Sequence, residues 1–317
     1  MTTRFTTDTL LTSVKSKARL VSGSLQITDA DILEMATEEM LGWLVPEILR
    51  CNAGYFIAFS DQAIVSNQSD YPIPARSIGN KIAGVYAVNG SGAVTKIPVA
   101  TYDEDAVRLN ITSAVFVSNC YIRNNVVVLA PIPQGAPTVR IVYYQRPSDL
   151  ITTAHACEIT GTTGTTQVTV VSNPDTLDTS DKVDIISGSP PFPFLGIDQV
   201  VSSYDSGTTT FTLTAAFPSG TAGMAPPQYL CAAGQSPIPQ IPYELHPTLV
   251  ERTTSRVLAA LGDVQGAALT MARAEQMQDM ALKLITPRAQ ETNHKIVNTS
   301  GPRYTWQSGR FWPWPIG

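Results

Sequence analysis

Residues equipped for acid–base, nucleophilic or metal chemistry are few in this chain and widely spread. The three histidines, His155, His246 and His294, stand in different segments. His155 and Cys157 form an H-x-C pair that offers two metal ligands. Structural zinc takes four ligands at recognisable spacings, and no second pair follows. The cysteines (Cys51, Cys120, Cys157, Cys231) show no C-x-x-C spacing and read as buried free thiols. Asp29 and Asp31 make a D-x-D pair, which suits the positive end of a helix dipole better than a metal. Asp103-Glu104-Asp105 is the densest acidic cluster and reads as a solvated loop. His246 precedes Pro247 at a helix entrance, where it reads as packing or as solvated, and not as catalytic. No Gly-rich loop ending in GK[ST] and no G-x-S-x-G elbow is present. We therefore expect no catalytic residue, no cofactor, no bound metal and no enzymatic activity.

The residues that stand out are built for contact. The segment from Asn293 to Gly317 carries Tyr304, Trp306, Phe311, Trp312 and Trp314, interleaved with Pro302, Pro313 and Pro315. The prolines forbid a helix and favour an extended or polyproline-type arm. A buried aromatic side chain covers ~150–250 Å², worth up to about 4–6 kcal/mol at ~25 cal/mol/Å². Two readings follow. The arm docks across a subunit boundary, its aromatics filling pockets, or it folds back over its own helical domain.

The elements that would carry these residues fall into five stretches. Over 1–54, Leu10, Leu11, Val14 and Ala18 recur at helical spacing, with Lys15, Lys17 and Arg19 at the C-terminal end. Thr28 with Asp31 has the form of a capping box. Behind it Ile32, Leu33, Ala36, Met40, Leu44, Ile48 and Leu49 share one face, and Pro46 predicts a kink or short break. Over 55–150 the period changes to two. Strands are expected at Tyr55–Phe59, Lys81–Val88, Val94–Val99, Phe116–Ile122, Val126–Leu129 and Val139–Tyr144. Asn124-Asn125 makes the firmest hairpin, because Asn tolerates positive φ. Over 152–237, Thr, Ser, Gly, Pro and Asp dominate. Short strands there, at Gln167–Val171, Lys182–Ile186, Ile197–Tyr204, Thr209–Leu213 and Tyr229–Cys231, predict a small inserted barrel or sandwich. Ser236 to Tyr243 is a stiff, proline-rich connector. Over 238–287 helical periodicity returns, divided at Gly262-Asp263 and ended by Pro287. Residues 288–317 are the arm. The expected fold is α+β: a helical bundle from the two ends of the chain, an antiparallel β region, the inserted barrel or sandwich, and an extended C-terminal arm.

The 317 residues are 43% hydrophobic but only 15% charged, against ~25% for an ordinary soluble domain. Such a surface is either covered in part by neighbouring subunits, the favoured expectation, or solvated by Ser, Thr and Asn. The net charge is −5 and no run of Lys or Arg occurs, so phosphate gripping is not expected. No apolar stretch approaches the ~20 residues of a membrane span. The N-terminus lacks the apolar core of a signal peptide, so synthesis in a cytoplasm is expected. The Asn-x-Ser/Thr triplets at Asn67, Asn89, Asn110 and Asn298 then read as turn chemistry.

Several stretches resemble the head-to-tail adaptor (connector) proteins of short-tailed bacteriophages. These are Leu10-Leu11-Thr12-Ser13-Val14-Lys15, Ile27-Thr28-Asp29-Ala30-Asp31-Ile32-Leu33, Leu44-Val45-Pro46, Gly54-Tyr55-Phe56, Tyr71-Pro72-Ile73-Pro74-Ala75-Arg76-Ser77-Ile78-Gly79, Tyr143-Tyr144-Gln145-Arg146-Pro147 and Ile241-Pro242-Tyr243-Glu244-Leu245-His246-Pro247. Their order and spacing carry the resemblance, which covers most of the chain outside the aromatic tail. It implies a virion protein assembled in a bacterial cytoplasm, forming a ring of about twelve copies under the portal. It also implies a tail tube or nozzle protein bound below, double-stranded DNA passing transiently through the lumen, and no membrane. Two alternatives remain: a collar or fibre-attachment protein, whose inserted β module would hold the fibre, and a tail-associated cell-wall hydrolase using a carboxylate pair.

Overall fold

The computed structural model describes residues 5–20, 27–100, 117, 119–132, 138–188, 194–215 and 228–286. All of these except Thr286 belong to one compact unit, Met1–Ile285. Within it the helices from the two ends of the chain share one core, as an α+β fold with a β excursion requires.

Helix α1 (Thr7–Lys17) buries Leu10, Leu11 and Val14. Its first residue is sewn to distant chain: the Thr7 N–H donates to the Pro237 carbonyl at 2.9 Å, and the Thr7 hydroxyl to the Ile151 carbonyl at 2.6 Å. Helix α2 (Asp29–Glu39) opens on the expected capping box. Thr28 Oγ1 accepts from the Asp31 N–H at 3.2 Å, and an Asp31 carboxylate oxygen accepts from the Thr28 N–H at 2.7 Å. The interruption expected at Pro46 falls earlier. Residues Met40–Leu44 wind as a π turn in which the Val45 N–H reaches back to the Met40 carbonyl. Helix α3 (Val45–Cys51) then starts with Pro46 in its first turn, where no N–H is needed. Widening the turn before the proline relieves the clash that Pro causes mid-helix.

Helix α4 (His246–Ala260) lies at the centre of the helical core. Its Leu249, Val250 and Val257 are buried with Leu10, Val14, Ile32, Leu44 and Ile48. Charged groups tie the ends of the chain across it: Lys17 Nζ meets Glu251 at 2.6 Å, and Arg252 Nε meets Glu39 at 2.7 Å. Gly262, at φ +86°, turns the chain into α5 (Val264–Ile285). The Ser255 hydroxyl donates to the Ala267 carbonyl at 2.7 Å, locking α4 against α5.

The β region is antiparallel, as expected, with different bounds. Strands β1 (Ile57–Ala63), β3 (Ser77–Val88), β4 (Val94–Ile97) and β7 (Thr138–Gln145) form one sheet in the order β1-β7-β3-β4. Strands β2 (Asp70–Pro72), β5 (Asn119–Arg123) and β6 (Val126–Ala130) form another, in the order β2-β6-β5. Tyr71, Ile73, Val85, Ile97, Cys120, Val127, Leu129 and Ile141 make their common core. Asn124 takes φ +53° between β5 and β6, which is the hairpin read from Asn124-Asn125. Two expectations are corrected. The segment Ala53–Phe56 is a 3-10 turn, so the strand starts at Ile57 rather than Tyr55. Strand β4 ends at Ile97, and Val99 only bridges to Cys120.

The inserted module is a closed barrel. Its strands are β9 (Cys157–Thr163), β10 (Gln167–Val170), β11 (Lys182–Ser187), β12 (Phe194–Asp205), β13 (Thr210–Leu213) and β14 (Gln228–Ala232), ordered β10-β13-β12-β11-β14-β9. Phe211, Val168, Val183, Ile185, Val201 and Leu230 fill it. A parallel pair, β8 (Asp149–Leu150) with β15 (Gln235–Ser236), lies where the chain enters and leaves it. The proline-rich stretch after β15 is more than a connector. Ile238 and Ile241 are fully buried, and Gln240 Oε1 accepts from the Ser148 N–H at 2.7 Å.

Candidate functional site

The arm residues Tyr304, Trp306, Phe311, Trp312 and Trp314 lie outside the described residues, as do His294 and Asp103-Glu104-Asp105. The remaining chemistry-bearing residues are kept apart. His246 is 1% exposed, its Nε2 sits 3.1 Å from the Ile241 carbonyl, and burial pulls its pKa down to about 4. Phe5 packs edge-on against its ring, 5.0 Å between centroids. This is a packing residue. His155 Nδ1 faces Asp175 at 2.8 Å, whereas Cys157 points into the barrel core, where burial pushes its thiol up to about 12. The H-x-C pair is therefore split between the surface and the interior. The D-x-D pair is divided too: Asp31 caps α2, and the Thr28 N–H holds its carboxyl below the usual range, while Asp29 meets Lys15 at 2.6 Å. Among the described residues no cluster of His, Cys, Asp or Glu is arranged to hold a metal ion. No described helix is long and apolar enough to cross a membrane.

One buried polar knot was not legible in the sequence. Asp184, on β11 of the barrel, is fully buried. Arg76 Nη1 donates to its Oδ2 at 2.8 Å, the Gly234 N–H to the same oxygen at 3.0 Å, and the Asp198 N–H to Oδ1 at 2.9 Å. Arg76 Nη2 also reaches the Ser148 hydroxyl at 2.7 Å, and the Arg76 carbonyl accepts from the Arg146 N–H at 2.7 Å. Burial raises the Asp184 pKa, against the pull of Arg76 and the two N–H donors. The knot fixes the barrel to the chain around β2, β3 and β8. The only sequence signal was an Asp inside the otherwise apolar run Val183-Asp184-Ile185-Ile186.

The contact surfaces are more telling. Helix α5 buries only a narrow stripe: Ala267, Ala274, Gln278, Ala281 and Leu282. Its outer face leaves Leu269 75%, Met280 67% and Leu284 76% exposed. Beside it Trp43 is half exposed, its Nε1 donating to Gln278 Oε1 at 3.2 Å under the Arg252 guanidinium. The edge strand β1 has no buried residue. Its Phe59 lies under the Arg140 guanidinium, 4.4 Å from the ring centroid, and Arg140 is itself paired with Asp61 at 2.7 Å. A groove of about 610 Å³ runs between α2 and β8 with the chain just after it, with Leu33, Leu150 and Ile151 along it and Asp29, Glu34, Glu38 and Asp149 around it. These surfaces suit docking. No family model matches the chain, and no curated protein matches it either.

Proposed function

We propose that this chain is a structural virion subunit, a head-to-tail adaptor of the short-tailed bacteriophage kind. Copies form a ring of about twelve between the portal and the tail tube or nozzle protein, and double-stranded DNA passes through the lumen without being gripped. The action is assembly. Side-by-side packing closes the ring, and the arm with Tyr304, Trp306, Phe311, Trp312 and Trp314 locks a neighbouring copy or the portal. The observation that carries the reading is the outer face of α5: Leu269, Met280 and Leu284, each at least two-thirds exposed, in a chain with few charges to keep it apart from its neighbours. The order of stretches resembling adaptor proteins supplies the particular assembly.

Mixing the purified chain with its portal and imaging by negative stain tests the reading. A symmetric ring on the portal is the expected result. A stable trimer that ignores the portal would replace the adaptor by a fibre-attachment protein. Peptidoglycan zymography covers the hydrolase: clearing that a single Asp or Glu substitution abolishes would overturn a purely structural role.

A further inference from the structure

The groove beside α2 and the outer face of α5 have matching chemistries. Leu33 and Leu150 are buried along the groove, and Glu34, Glu38 and Asp149 are exposed around it. Glu38 is already engaged by Arg256 at 2.5 Å. Glu34 and Asp149 make no ion pair among the described residues. On α5, the positions 269, 273, 276, 280 and 284 follow steps of three and four and so fall in one row. That row reads Leu269, Arg273, Gln276, Met280, Leu284, with Lys283 at its border. Arg273 is 70% exposed, 3.7 Å from Glu251, and Lys283 has no ion pair among the described residues. Glu275 and Asp279 lie off the row on its exposed flank, and Asp279 stands one turn before Lys283. One surface is apolar with spare carboxylates; the other is apolar with an exposed lysine and an arginine held only by a long ion pair.

We propose that α5 of one copy lies in the acidic groove of the next, with Leu269, Met280 and Leu284 over Leu33, Leu150 and Ile151, and with Arg273 and Lys283 meeting Glu34 and Asp149. The two patches are different, so the contact is head-to-tail, and repeated rotation closes it into a ring. The occupant is a second copy of this chain because the two patches carry opposite charge: among the described residues Glu34 and Asp149 on one make no ion pair, and on the other Lys283 makes none and the exposed Arg273 makes only the long one to Glu251. The proposal rests on the ring reading and names the contact that builds the ring.

Sedimentation velocity at low ionic strength, over a concentration series, reads the contact directly. Three variants are compared with wild type: E34K/D149K, R273E/K283E, and all four changes in one chain. Each double reversal should weaken self-association about tenfold or more, and the fourfold swap should restore it to within about threefold of wild type. All four side chains are on the surface, so thermal melts matching wild type confirm that the variants are folded; L269S/M280S, which changes no charge, should weaken association as well. If wild type assembles and neither reversal changes it, the contact is overturned while the ring stands. A wild-type chain that stays monomeric at every concentration also overturns the contact, and the portal experiment then decides the ring separately.

Discussion

At the residue scale the chain spends its polar chemistry on holding parts together. Asp184 carries a carboxylate in a site with no solvent exposure, and among the described residues Arg76 is the cation set against it at hydrogen-bond distance. Removing one partner of a buried pair costs more than removing both, because the survivor is left desolvated and uncompensated. Arg76→Met should therefore lower the unfolding free energy by about 3 kcal/mol. Adding Asp184→Leu removes the stranded charge but leaves the Gly234 and Asp198 N–H groups without their acceptor, so it should recover only part of the loss. Urea denaturation of the single and double variants decides this; an unaltered midpoint for Arg76→Met would show that the pair contributes nothing. His246 gives a pH signature of its own. Its pKa is depressed to about 4 by burial, from an ordinary 6.5, so the unfolded chain binds the extra proton first as the pH falls. The stability tied to its neutral form is complete above pH 6.5 and drains as the pH drops toward 4, by about 3 kcal/mol in all. Urea titrations across that window should show this slope, and a folded His246→Leu variant should show less of it.

At the element scale, boundaries are set by a few local devices, and these were the features most open to reading. The capping box on α2 satisfies helix N–H groups that otherwise face water, so Thr28→Ala should cost about 1 kcal/mol, seen as a lower melting temperature with unchanged assembly. That cap, the Asn124 hairpin and the Gly262 break were all legible because each depends on residues close in sequence. The π turn at Met40–Leu44 was not, since the proline that demands it lies beyond it and the helix accommodates the strain upstream. Strand β9 was missed because only Cys157 and Ile159 of its seven residues are buried. The stretch after β15 reads as a stiff connector because of its prolines, and its burial was not legible there: Ser148, Thr7 and their neighbours close over it. The docking groove and the Arg76–Asp184 knot were invisible for a different reason. Arg76 and Asp184 stand 108 positions apart, and the groove is made by α2 with β8 and the chain just after it, so no local pattern announces either. The arm was the reverse case: its aromatic composition is plain in the sequence, while its residues lie outside those described.

At the scale of the whole molecule, the proposed assembly uses two separate contacts, and they should fail separately. The α5 face belongs to the compact unit that ends at Ile285, and the aromatic segment follows it in sequence. If both engage neighbours, linking them in one chain makes the second contact effectively intramolecular, and the pair binds far more tightly than either alone. Deleting Tyr304 to Gly317 should then leave the melting temperature of the isolated chain unchanged. The same deletion should weaken ring or portal association by on the order of a hundredfold, the scale expected when avidity is lost. Sedimentation and portal pull-down on the truncated chain separate the two effects. A truncated chain that melts early or precipitates would mean that the aromatic residues complete its own core, and the docking role would then fall to α5 and the acidic groove alone.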